Sequence, residues 1–532
     1  MRRKPLLLVL AAVLMVPLGG GVAHARVAGD QDPALVRTAQ GAVHGLRGSD
    51  HRTFSGIPYA APPTGDRRWR APGPAPTWAG VRDATKPGSP CPQLDGGGPD
   101  RPPQPLGDED CLFLNVTTPA SRPDERLPVM VWIHGGGFVA GAGSEYDLSR
   151  MATQGKVVTV TLNYRLGALG YLDHPAMSDP YEGNYALADQ QAALRWVRRN
   201  IAAFGGDPAN VTIFGQSAGG FSVCAHLAAP GSRGLFQKAI VESGPCGNAF
   251  VTRAAARARA TKIAADLGCA TRTATCLRAK PVAELLPIGS DQVFTATARI
   301  GDMPWIFTAG TPALPTQPLE ALRRGLAAPV PLLQGATHDE MRPFVAVQFD
   351  AQGRPVTAQQ YPEILADLFR DDADAVLDRY PVAGFPTPSL ALATVLTDWG
   401  AKLGACSQLP ADDAAAWRAP VYAFEFAENS GQEIVGLPLG AGHAAELPYL
   451  MEGPNPPLAL SPAQERLSRD MIAYWTRFAA TGDPNLPGLP HWAAYHSGGT
   501  VLSLASGPQG VHPVNFMSSH QCAFWRHPQH AS

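Results

Sequence analysis

A serine lies between two glycines at the end of an apolar run, in the segment VTIFGQSAGG from Val211 to Gly220. A serine hydroxyl becomes a nucleophile when it is exposed, when a base takes its proton and when nearby donors stabilise the oxyanion that forms. A turn from a strand into a helix exposes the serine, and its tight backbone requires small residues two positions away on either side. Gly215 and Gly219 meet that requirement. The segment therefore predicts that Ser217 is a catalytic nucleophile, and the alternative is a glycine-rich turn without chemistry.

A second glycine-rich segment, HGGGF at residues 134–138, follows another apolar run. Consecutive glycines let several backbone N–H groups point at one position, which is the arrangement of an oxyanion hole. We predict that Gly136, Gly137 and the N–H of Ala218 are the donors. A phosphate-binding loop is not supported, because neither G-K-[ST] nor G-x-G-x-x-G follows. His134 is interpreted as a residue that shapes the glycine loop.

Strands and helices must hold these two segments, and the apolar pattern predicts where they lie. Continuous apolar runs occur at residues 128–133, 156–164, 211–214 and 236–244, and again in PVPLLQGATHDE and APVYAFEFA. Such runs indicate strands that are buried on both faces, as in a parallel sheet covered by helices. Helical periodicity appears between these runs and in a long segment that ends near Gly482. The alternation of strands and helices predicts an α/β fold, and ALVRTAQGAVHGL predicts a β-hairpin at its start.

The bulk composition is that of a globular protein without a polyanionic partner. The chain has 532 residues, of which 45% are hydrophobic and 17% charged, so it can bury a large core. Its formal net charge is −2, with a sequence pI of about 6.7. A net charge this close to zero does not indicate the basic surface that nucleic-acid binding needs, so no nucleic-acid partner is expected.

The N-terminus has the pattern of an export signal. Basic residues at positions 2–4 precede an apolar run from Leu6 to Val16, and the small-x-small triplet Ala23-His24-Ala25 follows. The run is shorter than the roughly 20 residues that are needed to cross a bilayer. The sequence therefore predicts a signal peptide at residues 1–25, a secreted mature chain and no stable membrane anchor.

Cysteine usage agrees with an extracellular location. The eight cysteines form an even count, and an oxidising compartment favours their pairing. No C-x-x-C motif occurs and the histidines are not clustered beside cysteines, so the sequence supports no zinc site. No metal and no cofactor are predicted.

Several segments resemble the signatures of the type-B carboxylesterases, the family of the cholinesterases. The two most specific are FGGDPANVTIFGQSAGG at residues 204–220 and EDCLFLNVTTP at residues 109–119; NYRLGALGYL, TGDPN and a C-terminal CAFW support them. The resemblance extends from about residue 35 to 525. It implies an α/β-hydrolase fold with a large, mostly parallel sheet flanked by helices, in one domain at residues 26–532. With its export signal, the chain resembles a secreted bacterial member.

The resemblance also implies the other two catalytic residues, in the family order serine, acid, histidine. The family's G-x-x-x-[DE]-E stretch matches GATHDE and gives Glu340, and its G-x-x-H-x-x-E stretch matches GAGHAAE and gives His443. Glu340 would fix the tautomer of the histidine, which would deprotonate Ser217 and then protonate the leaving alcohol.

Rival residues exist for the acid and for the histidine. Asp339 is adjacent to Glu340 and could be the acid, although the family pattern favours Glu340. His338, His491 and His496 are also predicted to lie in loops. Four further residues match other positions of the family. Arg165 and Asp189 match a structural ion pair, and Ser243 and Glu446 match polar residues that surround the histidine.

Disulfide pairing follows from the same resemblance. It implies three bridges, Cys91–Cys111, Cys269–Cys276 and Cys406–Cys522. Cys224 and Cys246 remain, and a fourth bridge between them stays open here, because the family does not require it.

The departures from the family pattern concern the substrate. In cholinesterases, a tryptophan between the first two cysteines binds the quaternary ammonium through its ring face. Here the segment between Cys91 and Cys111 contains no aromatic residue, and Gln216 replaces the glutamate that usually precedes the nucleophile. Both departures favour neutral esters over choline esters.

The function that these residues predict is carboxylic ester hydrolysis through an acyl-enzyme, with a small-molecule ester as substrate. Two other classes remain. An amidase, a lactonase or a polyester hydrolase could use the same triad. A non-catalytic adhesion module is the other alternative, because some family members have lost the serine, but the presence of Ser217, Glu340 and His443 argues against it.

Overall fold

In a computed structural model of the chain, residues 32–97, 101–120, 125–453, 459–497 and 499–526 are described. The chain from Ala34 to Ser532 forms one compact unit. The predicted signal peptide at residues 1–25 lies outside the described residues.

A large sheet, eleven strands wide among the described residues, forms the centre of this unit. Seven neighbouring strands, from Val158–Leu162 to Thr500–Leu504, run parallel, and the remaining strands pair antiparallel at the two edges. From one edge to the other the strands are Val511–Asn515, Thr500–Leu504, Val421–Phe426, Leu332–Thr337, Lys238–Glu242, Gly206–Gln216, Leu127–Ile133, Val158–Leu162, Phe113–Pro119, His51–Pro58 and Leu46–Arg47.

The central strands are apolar throughout because both faces of the sheet are covered. In strand Leu127–Ile133, Val129 and Val131 belong to the core on one face, whereas Met130 and Trp132 belong to the core on the other. All four side chains are fully buried. Burial of one such side chain contributes about 1.5–3 kcal/mol to folding, so a continuous apolar run is stable only between two layers of helices. The predicted α/β-hydrolase fold is confirmed.

Helices cover both faces of the sheet. The longest described helix, Pro462–Thr481, begins with a capping box between Ser461 and Gln464 and ends at Gly482, which has a φ of 84°. The α-helices are Ser149–Gly155, Gly167–Tyr171, Tyr185–Asn200, Ala218–Ala228, Arg253–Asp266, Thr273–Ala279, Val282–Leu285, Pro318–Arg323, Arg342–Gln348, Gln360–Phe369, Ala373–Arg379, Pro388–Trp399, Leu409–Ala416, Leu447–Leu450, Pro462–Thr481, Phe516–Ser519 and Cys522–Trp525. None of the helices in the described ranges is long and apolar enough to cross a membrane.

Small sheets complete the fold. The predicted N-terminal hairpin is present, with Leu35–Arg37 antiparallel to Ala42–His44, and Val81–Asp83 adds a parallel third strand. The described residues also form three two-stranded pairs: Gln93–Leu94 with Pro105–Leu106, Val251–Thr252 with Thr308–Ala309, and Glu433–Ile434 with Leu437–Pro438.

Four disulfides link the described cysteines, and none of these cysteines is free. The three bridges implied by the resemblance are confirmed: Cys91–Cys111, Cys269–Cys276 and Cys406–Cys522. The open question is also answered, because Cys224 and Cys246 form a fourth bridge with their Cα atoms 5.3 Å apart. This bridge ties the helix after Ser217 to the loop after the next strand. Four disulfides suggest an oxidising, extracellular environment.

Candidate active site

Ser217 lies at a sharp turn between strand Gly206–Gln216 and helix Ala218–Ala228. Its φ of 58° and ψ of −122° lie outside the regions that L-residues ordinarily occupy, so the backbone is strained there. Two glycines make the turn possible. A Cβ on Gly219 would lie 1.9 Å from the carbonyl oxygen of Ile133, and a Cβ on Gly215 would lie 2.6 Å from the same oxygen. The G-x-S-x-G pattern thus has a steric cause, as the sequence predicted.

His443 and Glu340 form a hydrogen-bonded pair between Nδ1 and Oε1. The other oxygen of Glu340 accepts hydrogen bonds from Thr337 N at 2.9 Å, Thr337 Oγ1 at 2.7 Å and Ser243 Oγ at 3.1 Å. Complete burial by itself would raise the pKa of Glu340, but the charge of His443 and these hydrogen bonds lower it below its usual value. The carboxylate is therefore held in its charged form, oriented toward the imidazole.

Asp339, the rival acid, points elsewhere. Its carboxylate accepts from Ala441 N at 2.9 Å and pairs with Arg342 at 2.7 Å, which fixes the loop that carries His443. Among the rival histidines, His338 contacts Asp339 instead of Glu340, and His491 and His496 are exposed outside the site. Of the two candidate acids and four candidate histidines, only Glu340 and His443 form a hydrogen-bonded acid–histidine pair at the cavity of Ser217.

The Gln216 side chain lies against His443. Its Nε2 atom is 3.2 Å from Nε2 of the imidazole, the nitrogen that faces away from Glu340. Within the described part of the chain, no hydrogen bond joins Ser217 Oγ to His443, although both side chains line the same cavity. In resting serine hydrolases this contact is often long and tightens when substrate binds. The sequence indicated only that Gln216 replaces a negatively charged glutamate; it did not indicate that Gln216 contacts the imidazole.

The three predicted oxyanion donors meet at the same cavity as Ser217. Gly136 and Gly137 have φ values of 101° and 60°, which favour glycine. None of the described residues accepts a hydrogen bond from the N–H groups of these glycines or of Ala218. His134 holds this loop in place through two contacts. Its ring stacks on Tyr164 with centroids 4.3 Å apart, and its Nδ1 lies 2.8 Å from Gly135 O. Burial lowers the pKa of His134 to about 4, so this imidazole is neutral.

A Gly136→Ala variant is expected to lose activity through the backbone. A Cβ on Gly136 would lie 2.2 Å from the carbonyl oxygen of Ala140, and the φ of 101° is unfavourable for alanine. The loop must therefore shift, and loss of one oxyanion donor lowers kcat by about 10²–10³-fold. Steady-state hydrolysis of p-nitrophenyl butyrate measures this loss. Gly353→Ala is the matched control, because Gly353 also has a positive φ but nothing within 4 Å of its added Cβ. A similar loss in both variants would contradict the assignment.

The predicted scaffold pair is present. Arg165 donates to both oxygens of Asp189 at 2.7 Å, and both side chains are buried. Two-pronged pairing of this kind fixes both geometry and charge. The pair joins the segment after strand Val158–Leu162 to helix Tyr185–Asn200, and so holds the scaffold behind the oxyanion loop.

Two buried acids, Glu242 and Glu446, lie near the Glu340 carboxylate, and the sequence singled out only Glu446 of the two. Glu242 accepts a hydrogen bond from Trp475 Nε1 at 2.7 Å, and burial raises its pKa to about 8. Burial, followed by the nearby charges of Glu242 and Glu340, raises the pKa of Glu446 well above its usual value. Burial therefore disfavours the charged form of both acids. Ser243, which was predicted to belong to the polar surround of the histidine, reaches it through the acid, because its Oγ donates to Glu340.

The cavity in front of Ser217 has a volume of about 870 Å³. Apolar side chains form most of its wall: Phe138, Phe221, Val293, Phe294, Ile300, Met303, Phe344, Leu403, Leu447, Met451 and Leu460. Its charged residues are two cations, Arg150 and Lys402, and two acids, Glu452 and Glu465. Lys402 donates to the carbonyl of Val293 at 2.6 Å, and burial lowers its pKa to about 7. The wall can thus accept an apolar molecule.

Comparisons with known proteins agree with this geometry. The sequence model of the carboxylesterase family matches residues 32–525. The para-nitrobenzyl esterase of Bacillus subtilis is 36% identical over 481 residues, which cover 87% of this chain and 92% of that protein. The fumonisin B1 esterase of Sphingopyxis macrogoltabida is 34% identical over 513 residues, 92% of this chain and 89% of that protein. A solved structure of a PNB esterase superposes with a TM-score of 0.76 at 35% identity, and the match covers 93% of this chain and all of the other.

Proposed function

The chain belongs to the carboxylesterase family and is an enzyme of that class, and on this premise we propose that it hydrolyses neutral carboxylic esters with Ser217, His443 and Glu340 as its triad. The observation that carries the proposal is the arrangement at one cavity. Ser217 on its strained turn, His443 with its buried partner Glu340, and the three glycine-loop and helix residues Gly136, Gly137 and Ala218 support it, because all but Glu340 line the same cavity.

Acylation is the first half of the proposed reaction. His443 Nε2 takes the proton of Ser217 as the hydroxyl oxygen attacks the ester carbonyl carbon, and the carbonyl oxygen becomes an oxyanion. The N–H groups of Gly136, Gly137 and Ala218 stabilise this charge. The imidazolium then gives its proton to the leaving alcohol, and the C–O bond to the alcohol breaks. The buried carboxylate of Glu340 stabilises the imidazolium throughout.

Deacylation repeats these roles with water. His443 deprotonates a water molecule that attacks the acyl-Ser217 carbonyl, and the serine oxygen leaves with the returned proton.

Neutral esters are the proposed substrates because nothing at the base of the cavity favours a cation. Gln216 is uncharged and contacts the imidazole, and the two acids of the wall are accompanied by two basic residues, Arg150 and Lys402. The segment between Cys91 and Cys111 contains no aromatic residue that could bind an ammonium group. The names of the relatives as esterases of several compounds fit a broad class of esters.

A pair of isosteric esters tests this substrate class. We expect a higher kcat/KM for 3,3-dimethylbutyl butyrate than for butyrylcholine, because the two differ in charge and hardly in shape. Gln216→Glu is expected to raise the relative kcat/KM of butyrylcholine by roughly 10-fold, which corresponds to about 1.4 kcal/mol. A faster reaction of the wild-type protein with butyrylcholine would contradict the proposal. An ester chain-length series with an anilide added distinguishes an esterase from an amidase.

The proposal includes the location and organisation of the protein. We propose secretion after removal of residues 1–25, followed by a single hydrolase domain at residues 26–532. The four disulfides and the compact unit from Ala34 onward support this organisation.

A further inference from the structure

Two histidines and a glutamate converge at a place outside the catalytic cavity. One nitrogen from each of His338 and His520 and one oxygen of Glu425 all lie within 4.8 Å of one another. The three residues come from distant segments. His338 follows strand Leu332–Thr337, Glu425 lies on the neighbouring strand, and His520 precedes the last described helix. No sequence spacing could have revealed this cluster.

Both histidine rings are oriented through their Nδ1 atoms. His520 Nδ1 lies 2.6 Å from Asp398 Oδ1, and His338 Nδ1 lies 3.1 Å from Asp339 Oδ1. The Nε2 atom of His520 faces Glu425 Oε1 at 2.6 Å, and the two imidazole centroids are 5.3 Å apart. Histidines that ligate metals almost always present their other ring nitrogen to a carboxylate or carbonyl in this way.

The cluster is buried on one side and exposed to solvent on the other. The side chains of His520, Glu425 and Asp398 are at most 4% exposed, whereas His338 is 46% exposed. Asp398 is fixed further by Tyr380 OH, which donates to it at 2.9 Å. The exposed imidazole can move toward the buried pair, and solvent reaches the cluster from that side.

We propose that His338, Glu425 and His520 form a binding site for a divalent zinc-like cation, with water as its fourth ligand. Two imidazole nitrogens and one carboxylate oxygen suit Zn²⁺, whose tetrahedral geometry places its ligand atoms about 3.3 Å apart. His520 Nε2 and Glu425 Oε1 are hydrogen-bonded at 2.6 Å, so a bound cation would replace the proton between them and widen this distance. The exposed His338 side chain would rotate to bring its nitrogen to the same spacing. Mg²⁺ and Ca²⁺ prefer sets of oxygen ligands and are not expected to bind.

Binding there would join three parts of the fold. His338 N donates to Phe426 O at 2.9 Å, so the turn after strand Leu332–Thr337 already lies against strand Val421–Phe426. The Cys406–Cys522 disulfide holds the segment of His520 next to them. Since a metal binds the folded cluster and not the separated ligands, it would stabilise the native state. The site is independent of the proposed ester hydrolysis, because none of its three ligands contacts Ser217, Glu340 or His443.

Calorimetric titration of the untagged wild-type chain with Zn²⁺, and in parallel with Mg²⁺, tests the site. We expect one Zn²⁺ per chain, no Mg²⁺ binding and a rise in Tm of at least about 2 °C at saturating Zn²⁺. His338→Ala should weaken Zn²⁺ binding by more than the roughly 10–100-fold that removal of an outer-shell partner costs, and should abolish the Tm rise.

His491→Ala is the matched control, since His491 is an exposed loop histidine remote from the cluster. It should bind Zn²⁺ as the wild-type chain does. Retained esterase activity of metal-free His338→Ala shows that this variant is folded. Equal Zn²⁺ binding by the wild-type chain and His338→Ala, or no binding by the wild-type chain, would overturn the proposal.

Discussion

Replacement of Ser217 by alanine is expected to lower kcat/KM for short p-nitrophenyl esters by about 10⁵-fold or more. The variant keeps the oxyanion donors and the histidine–glutamate pair but has no oxygen to form the acyl-enzyme. Removal of the nucleophile in a triad costs about as much as removal of the whole triad, because the residues act as a unit. Initial rates at substrate concentrations well below KM measure the effect directly.

Ser178→Ala is the matched control for this variant. Ser178 also has a positive φ, at 53°, but it is exposed at the end of a short 3₁₀-helix outside the cavity. Its replacement should leave kcat/KM unchanged. An unchanged Tm of Ser217→Ala would show that its fold is retained, and substantial residual activity in that variant would contradict the role of Ser217.

Glu340→Gln is expected to lower kcat by about 10⁴-fold at neutral pH. The amide that replaces the carboxylate can donate to Nδ1 of His443 and so favours the tautomer with its proton on Nε2, which cannot accept the proton of Ser217. The amide also lacks the charge that stabilises the imidazolium. The measurement is kcat for p-nitrophenyl butyrate at pH 7 in the variant and the wild-type chain.

Asp339→Asn distinguishes the two neighbouring acids. Asp339 holds the loop through Ala441 and Arg342, and the imidazole of His443 contacts Glu340 instead. Its replacement should lower kcat by less than about 10-fold, a loss of the size expected for a hydrogen bond that is not part of the triad. A larger loss in Asp339→Asn than in Glu340→Gln would reverse the assignment of the acid.

The sheet was predictable because its strands are buried on both faces. The continuous runs around Val131 and Val160 indicate such strands without any knowledge of the whole fold. Strand ends were less predictable. The run predicted at residues 236–244 is a strand only at Lys238–Glu242, since Ser243 turns the backbone with a φ of 49°. Local hydrophobicity does not report such a turn.

Two parts of the site could be predicted, whereas one buried contact near it and the separate cluster around His520 could not. The turn at Ser217 and the loop at residues 134–138 need glycine for local steric reasons, so the glycines appear in the sequence at fixed spacing. The Glu242–Trp475 hydrogen bond joins residues 233 positions apart, and the cluster around His520 draws on three separate segments. Contacts of this kind depend on how the sheet is assembled, so no window of sequence contains them.

Covalent labelling of the native protein tests the nucleophile most directly. The wild-type chain is incubated with a fluorophosphonate ester, and intact-mass and peptide-level mass spectrometry locate the adduct. We expect one adduct per chain on Ser217, loss of esterase activity in proportion to labelling, and no adduct in Ser217→Ala. Complete inactivation with the adduct on another residue, or full activity after Ser217 is labelled, would contradict the proposed mechanism.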